Sequence, residues 1–115
     1  MVDIPADRAL FSISVTAELT EVKPQMLRVY EQRGLLSPER TPGGTRRYST
    51  RDIDRVREIT SLLDAGLNLA GVEEVFRLQA ENRLLQDEIA RLKARLDAAD
   101  RSDRESSAER RPRRG

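Results

Sequence analysis

Apolar residues along this chain keep one kind of spacing up to Phe76 and another from Leu78 on, and the breaks between runs fall at Pro and Gly. Residues 1 to 9 show no periodic pattern and are expected to form a flexible leader. "LFSIS" at 10 to 14 alternates Leu10, Ser12 and Ser14 with Phe11 and Ile13, the period of a short strand. Ser14 is placed to cap a helix through "VTAELT", where Val15 and Leu19 stand four apart on the face expected to pack inward. Pro24 separates that helix from the next. It disfavours a helical Lys23 before it and suits a first helical position, where its missing N–H costs nothing. In "PQMLRVYEQR", Leu27 and Tyr30 stand three apart with Met26 and Val29 beside them, while Gln25, Arg28 and Gln32 take the other side. Gly34 then stops the helix, because a left-handed residue is cheap there.

Beyond Gly34, "TPGGT" is a strong turn signal between "LLSPER" and the strand-compatible "RRYS", which predicts a hairpin over 35 to 48. A third helix follows, with Ser49 or Thr50 as its cap and Asp52 in its first turn. Its apolar stripe is Ile53, Val56, Ile59, Leu62 and Leu63, and Gly66 ends it. A fourth, capped by Asn68, turns Val72, Val75 and Phe76 inward. From Leu78 the pattern becomes a seam: Leu78, Asn82, Leu85, Ile89, Leu92, Leu96 and Ala99 alternate steps of four and three, with Asn82 the polar exception. At ~1.5 Å per residue this is a rod of roughly 30 Å, whose leucines would lie in water without a second helix. The stretch from Arg101, rich in Arg, Ser, Asp and Glu and holding Pro112, is expected to be disordered. The chain therefore divides into a leader (1 to 9), a compact domain (10 to 77), a dimerising coiled-coil helix (78 to 99) and an Arg-rich tail (100 to 115), in a mainly α protein.

Composition narrows the chemistry. The 115 residues include no Cys and no His, which removes thiolate metal sites, disulfides and the commonest acid–base group together. No Gly-Lys-Ser/Thr follows "PGG", so it is not a phosphate-binding loop, and no acidic run matches a calcium loop. Neither an enzymatic activity nor a metal or other cofactor is expected. Aromatic content is only 3 %, so the core must be small and aliphatic, which favours support from a second chain. No apolar run reaches the length of a membrane span or a signal peptide, and the expectation is a cytoplasmic protein that makes no membrane contact.

The net charge of +1 hides a segregated distribution. Residues 1 to 22 carry four acidic side chains against one basic, whereas 23 to 51 carry seven basic against Glu31 and Glu39, a net +5. A basic excess on a helix pair and a hairpin is the footprint of a polyanion-binding surface, because each neutralised phosphate releases counterions. A helix fits the major groove of B-form DNA, where exposed Gln and Arg can read base edges. Arg46 and Arg47 can hold phosphates bidentately, and the Tyr48 hydroxyl adds a donor if it faces outward. Tyr30 and Tyr48 are each open to a core or a contact role.

The run "FSISVTAEL…VKPQMLRVYEQRGLLSPERTPGGTRRYSTRDIDRVREI", with its core "LR.YE..GLL.P.R...G.R.Y", resembles the winged-helix DNA-binding domain of the MerR family of bacterial regulators. The resemblance covers about residues 10 to 99. "KPQMLR", "GGTRRYS" and "LLDAGLNLAGVEEVFRL" are most similar to the family's heat-shock repressors of chaperone operons. It implies a winged helix-turn-helix with a recognition helix over 24 to 33, and DNA contacts from Lys23, Gln25, Met26, Arg28, Tyr30, Arg40, Arg46, Arg47 and Tyr48. It further implies a homodimer through antiparallel pairing of Leu78, Asn82, Leu85, Ile89, Leu92 and Leu96, an inverted-repeat operator in double-stranded DNA, and the DnaK chaperone as co-repressor. Glu21 stands where the family commonly has Gly in the first turn. Alternatives of another kind are a regulator of a different stress or developmental regulon, and a chaperone adaptor that keeps the fold without binding DNA.

Overall fold

The computed structural model describes residues 5–109. It holds two compact units, one through Phe76 and one from Arg77 on. The first begins with β1 (Ala9–Phe11) and α1 (Ile13–Thr20), followed by α2 (Pro24–Gln32). A hairpin of β2 (Glu39–Arg40) and β3 (Arg46–Ser49), then α3 (Thr50–Asp64) and the start of α4 (Leu69–Glu109), complete it. The three strands form one antiparallel sheet in the order β1-β3-β2, with Glu39 opposite Arg47 and Arg40 opposite Arg46. The core is built from Leu27, Tyr30, Leu35, Leu36, Tyr48, Val56, Ile59, Val72 and Phe76, so every helix from α2 on, together with β3, contributes to it.

Several ends fall where the local chemistry demands. Pro24 occupies the first turn of α2, and Gly34, at φ +75°, lets the chain leave that helix. Ser49, not Thr50, caps α3 through a reciprocal pair: its hydroxyl accepts from the Asp52 N–H at 3.0 Å, and the Asp52 carboxylate accepts from the Ser49 N–H at 2.9 Å. The Asn68 side chain accepts from the Gly71 N–H at 2.8 Å at the start of α4.

Four expectations need correction. Ser12, not Ser14, caps α1, which rotates the helix: Val15 and Leu19 are 41 % and 46 % exposed, and Thr16 and Thr20 are buried instead. Threonine can serve here because each hydroxyl donates backwards within the helix, Thr16 to the Ser12 carbonyl at 2.8 Å and Thr20 to the Thr16 carbonyl at 2.7 Å, so only the methyl faces the core. The hairpin is shorter than 35 to 48, because Leu35 and Leu36 enter the core rather than a strand. Within the leader, Ala6 accepts from the Arg51 N–H at 2.9 Å and strand begins at Ala9, so that segment is tied to the start of α3. Residues 101–109 are helical, not disordered: no Gly or Pro interrupts them, and Arg104 pairs with Asp100 at 2.9 Å one turn back. Residues 1–4 and 110–115, parts of the leader and of the tail, lie outside the described residues.

In the second unit the seam side chains Leu78, Leu85, Ile89, Leu92 and Leu96 are all at least half exposed. No described helix is long and apolar enough to cross a membrane.

Among the described residues, Glu21, at φ +58°, is the non-glycine residue in the left-handed region, and it closes α1. A side chain there costs roughly 1–2 kcal/mol, partly offset by the unfolded-state freedom that glycine regains. Glu21→Gly is expected to stabilise the protein by roughly 0.5–1 kcal/mol, read from urea denaturation midpoints.

Candidate nucleic-acid interface

The helix pair and the hairpin are fastened from beneath by packing and from above by charge. Leu27 and Tyr30 on α2 and Tyr48 on β3 meet in the same core, which sets the inner faces of helix and hairpin against each other. On the outer side the Glu31 carboxylate of α2 spans to the hairpin. Its Oε1 accepts from Arg40 Nη2 at 2.8 Å, and its Oε2 accepts from Arg46 Nε at 2.5 Å. Arg40 also donates through Nη1 to the Gly44 carbonyl at 3.1 Å, bracing the turn. That turn is further closed by the Thr41 N–H donating to the Thr45 carbonyl at 2.8 Å, and Gly44, at φ +86°, supplies its left-handed residue.

Electrostatics follow from these contacts. Burial pushes the Glu31 carboxyl upward, but hydrogen bonds and charge from Arg46 and Arg40 outweigh it and hold the group below the usual carboxylate range. The hydrogen bond to Glu31 in turn raises Arg46. Burial raises Tyr30 and Tyr48; at Tyr48 the charge of Arg46 opposes the rise while Glu31 and Asp52 add to it.

The candidate contact residues sort into three groups. Lys23, Gln25 and Arg28 are exposed at the start and on the outer face of α2, and Lys23 makes no capping hydrogen bond there. The side chains of Arg28 and the half-buried Arg47 form no hydrogen bond or ion pair among the described residues, so their guanidiniums are available to a ligand. Arg40 and Arg46, by contrast, are held by Glu31. Met26, assigned to the groove side, is half-buried and packs against the core. Tyr30 is buried, and Tyr48 is fully buried with its hydroxyl lacking a partner among the described residues, so Tyr48 does not face outward as a donor. The residue that sequence reading missed is Glu31. Its partners lie 9 and 15 positions away, a separation no helical or strand period announces.

Among the described residues no group of three His, Cys, Asp or Glu side chains comes together as a metal site would require. The arrangement offers instead an exposed polar helix face and a cationic hairpin braced to it, a geometry suited to a grooved polyanion.

Comparison with known proteins agrees with this chemistry. The model of the MerR HTH family of regulatory proteins matches residues 11–79. A Streptomyces coelicolor protein carrying the name heat shock protein HspR is 41 % identical over 107 residues, covering 92 % of this chain and 71 % of that protein. The HTH-type transcriptional regulator GlnR of Bacillus anthracis is 43 % identical over 74 residues, 64 % of this chain and 57 % of its own length. Among solved structures, HiNmlR, a MerR family regulator lacking the sensor domain and bound to promoter DNA, superposes with a TM-score of 0.52. It covers 76 % of this chain and 78 % of its own at 24 % identity, a likeness of fold alone.

The Glu31 bridge makes a pH-dependent contribution of definite sign. A carboxylate whose folded value is depressed stabilises above its unfolded value and loses that contribution as pH falls through the folded one. The stability gap between wild type and Glu31→Gln is expected to be full at neutral pH and to close as pH falls through and below the ordinary carboxylate range, read from urea midpoints at each pH.

Proposed function

The chain belongs to the MerR family of helix-turn-helix regulatory proteins, and we propose that it is a homodimeric, sequence-specific DNA-binding repressor of heat-shock and chaperone genes. The observation that carries the DNA-binding reading is the surface made by α2 and the hairpin, with Gln25 and Arg28 exposed on the helix and Arg47 unpaired on β3. Gln25 and Arg28 stand three apart on one helical face, the placement from which a recognition helix reads base edges, and Arg47 supplies phosphate contact beside it. The HspR-named relative, similar over most of this chain, supports the heat-shock assignment; the DnaK chaperone as co-repressor is what the family resemblance alone implies.

Dimerisation is supported by the second unit. Its exposed seam of Leu78, Leu85, Ile89, Leu92 and Leu96 is a stripe that a second copy would bury, with Asn82 selecting one antiparallel register at some cost in stability. Two recognition helices related by a two-fold axis then require an inverted-repeat operator.

Arg28→Ala is expected to weaken binding to the preferred site by ~1–3 kcal/mol while relaxing specificity there. Arg47→Ala weakens all duplexes alike and lowers the salt slope by about one. An Arg47→Ala protein that matches wild type across a salt titration would remove the hairpin from the interface. The Leu85→Asp, Leu92→Asp double variant is expected to sediment as a monomer, and a dimer would remove the seam from the assembly. Recovery of bound genomic DNA with and without heat shock should enrich chaperone promoters. Their absence from otherwise reproducible peaks would overturn the heat-shock assignment, and the absence of any peak would favour a protein-binding adaptor.

A further inference from the structure

The two arginines on Glu31 spend their donors differently. Arg40 commits one terminal nitrogen to Glu31 at 2.8 Å and the other to the Gly44 carbonyl at 3.1 Å, so it runs from helix to hairpin tip as a strut. Arg46 commits only its inner Nε, at 2.5 Å, and both of its terminal nitrogens remain without a hydrogen bond among the described residues. A guanidinium is planar and rigid, so fixing it at Nε also fixes the direction of the terminal pair. Arg40 and Arg46 are opposite one another across the hairpin, and one carboxylate holds both.

We propose that Glu31 is a positioning residue for DNA recognition: it sets the hairpin against the recognition helix and aims the terminal nitrogens of Arg46 at a phosphate, while Arg40 is a strut that makes no phosphate contact. This rests on the DNA-binding reading above and assigns different tasks to residues that sequence alone treats as equivalent cations. It also opposes the bare electrostatic expectation. A carboxylate beside a polyanion repels it, so neutralising Glu31 should tighten binding to every duplex if charge alone mattered. If Glu31 positions, neutralising it frees the hairpin and lowers discrimination. Glutamine cannot replace it, because its amide presents donors to at least one guanidinium where the carboxylate presents acceptors to both.

The test compares the full-length wild-type chain, Glu31→Gln and Arg40→Met on two probes. One is the duplex that wild type enriches from a random-sequence pool; the other is a mixed-sequence duplex of the same length. For Glu31→Gln the affinity ratio between the two is expected to fall about tenfold, with faster dissociation from the enriched duplex. Arg40→Met, which keeps the aliphatic stem, should lower the same ratio with an unchanged salt slope. A ratio equal to wild type for Glu31→Gln, with tighter binding to both duplexes, would overturn the proposal while leaving the DNA-binding reading in place. So would an Arg40→Met salt slope reduced by about one, which would make Arg40 a phosphate contact. Because Arg40→Met leaves the Glu31–Arg46 pair in place, it remains informative if Glu31→Gln fails to fold. Failure of wild type to enrich any duplex would overturn both readings together.

Discussion

Everything at the candidate interface depends on a single small core in which Leu27 and Tyr30 of α2 meet Tyr48 of β3. With an aromatic content of 3 %, the chain has few large side chains to spend, and it places both tyrosines where helix and hairpin join. A fully buried Tyr48 brings substantial apolar area to that joint, but its hydroxyl has no partner among the described residues, which offsets part of the gain. The strand that carries Tyr48 also carries Arg46 and Arg47, so burying one residue fixes where its neighbours emerge.

Charge refines what packing sets. The basic excess over residues 23 to 51 reads as a uniform cationic patch, yet the folded chain partitions it. Arg40 and Arg46 are drawn to Glu31, and Arg33 pairs with Glu73 at 2.9 Å, where α2 meets the start of α4. Among the described residues, the basic side chains of this stretch left uncommitted are Lys23, Arg28, Arg47 and Arg51, together with the terminal nitrogens of Arg46. A cation bound within the protein is oriented but partly neutralised, whereas an unpaired one is attractive but mobile, and recognition uses both. The second unit adds a different feature, an exposed seam of leucines that the proposed dimer would cover.

Much of this was readable from residue order because the relevant chemistry is local. Pro24, Gly34, Asn68 and the Ser49–Asp52 pair act within a turn of their own position, so their roles follow from a few neighbouring letters. The rotation of α1 was not readable that way. It depends on which of two serines caps the helix, and Val15 and Leu19 look more like core than Thr16 and Thr20 until the backward hydrogen bonds of threonine are counted. Polar composition suggested disorder for 101–109, but nothing in those residues breaks a helix already under way. The inward turn of Tyr48 and the reach of Glu31 are tertiary facts, set by pairing between elements far apart in sequence.

In the proposed function, α2 and the hairpin form one DNA-facing surface. Hydrogen–deuterium exchange of the full-length chain, with and without duplex DNA at low salt, tests it most directly. Protection is expected to concentrate on residues 23–33 and 39–47. Protection confined to α1 or to residues 78–99, with α2 and the hairpin unchanged, would contradict it.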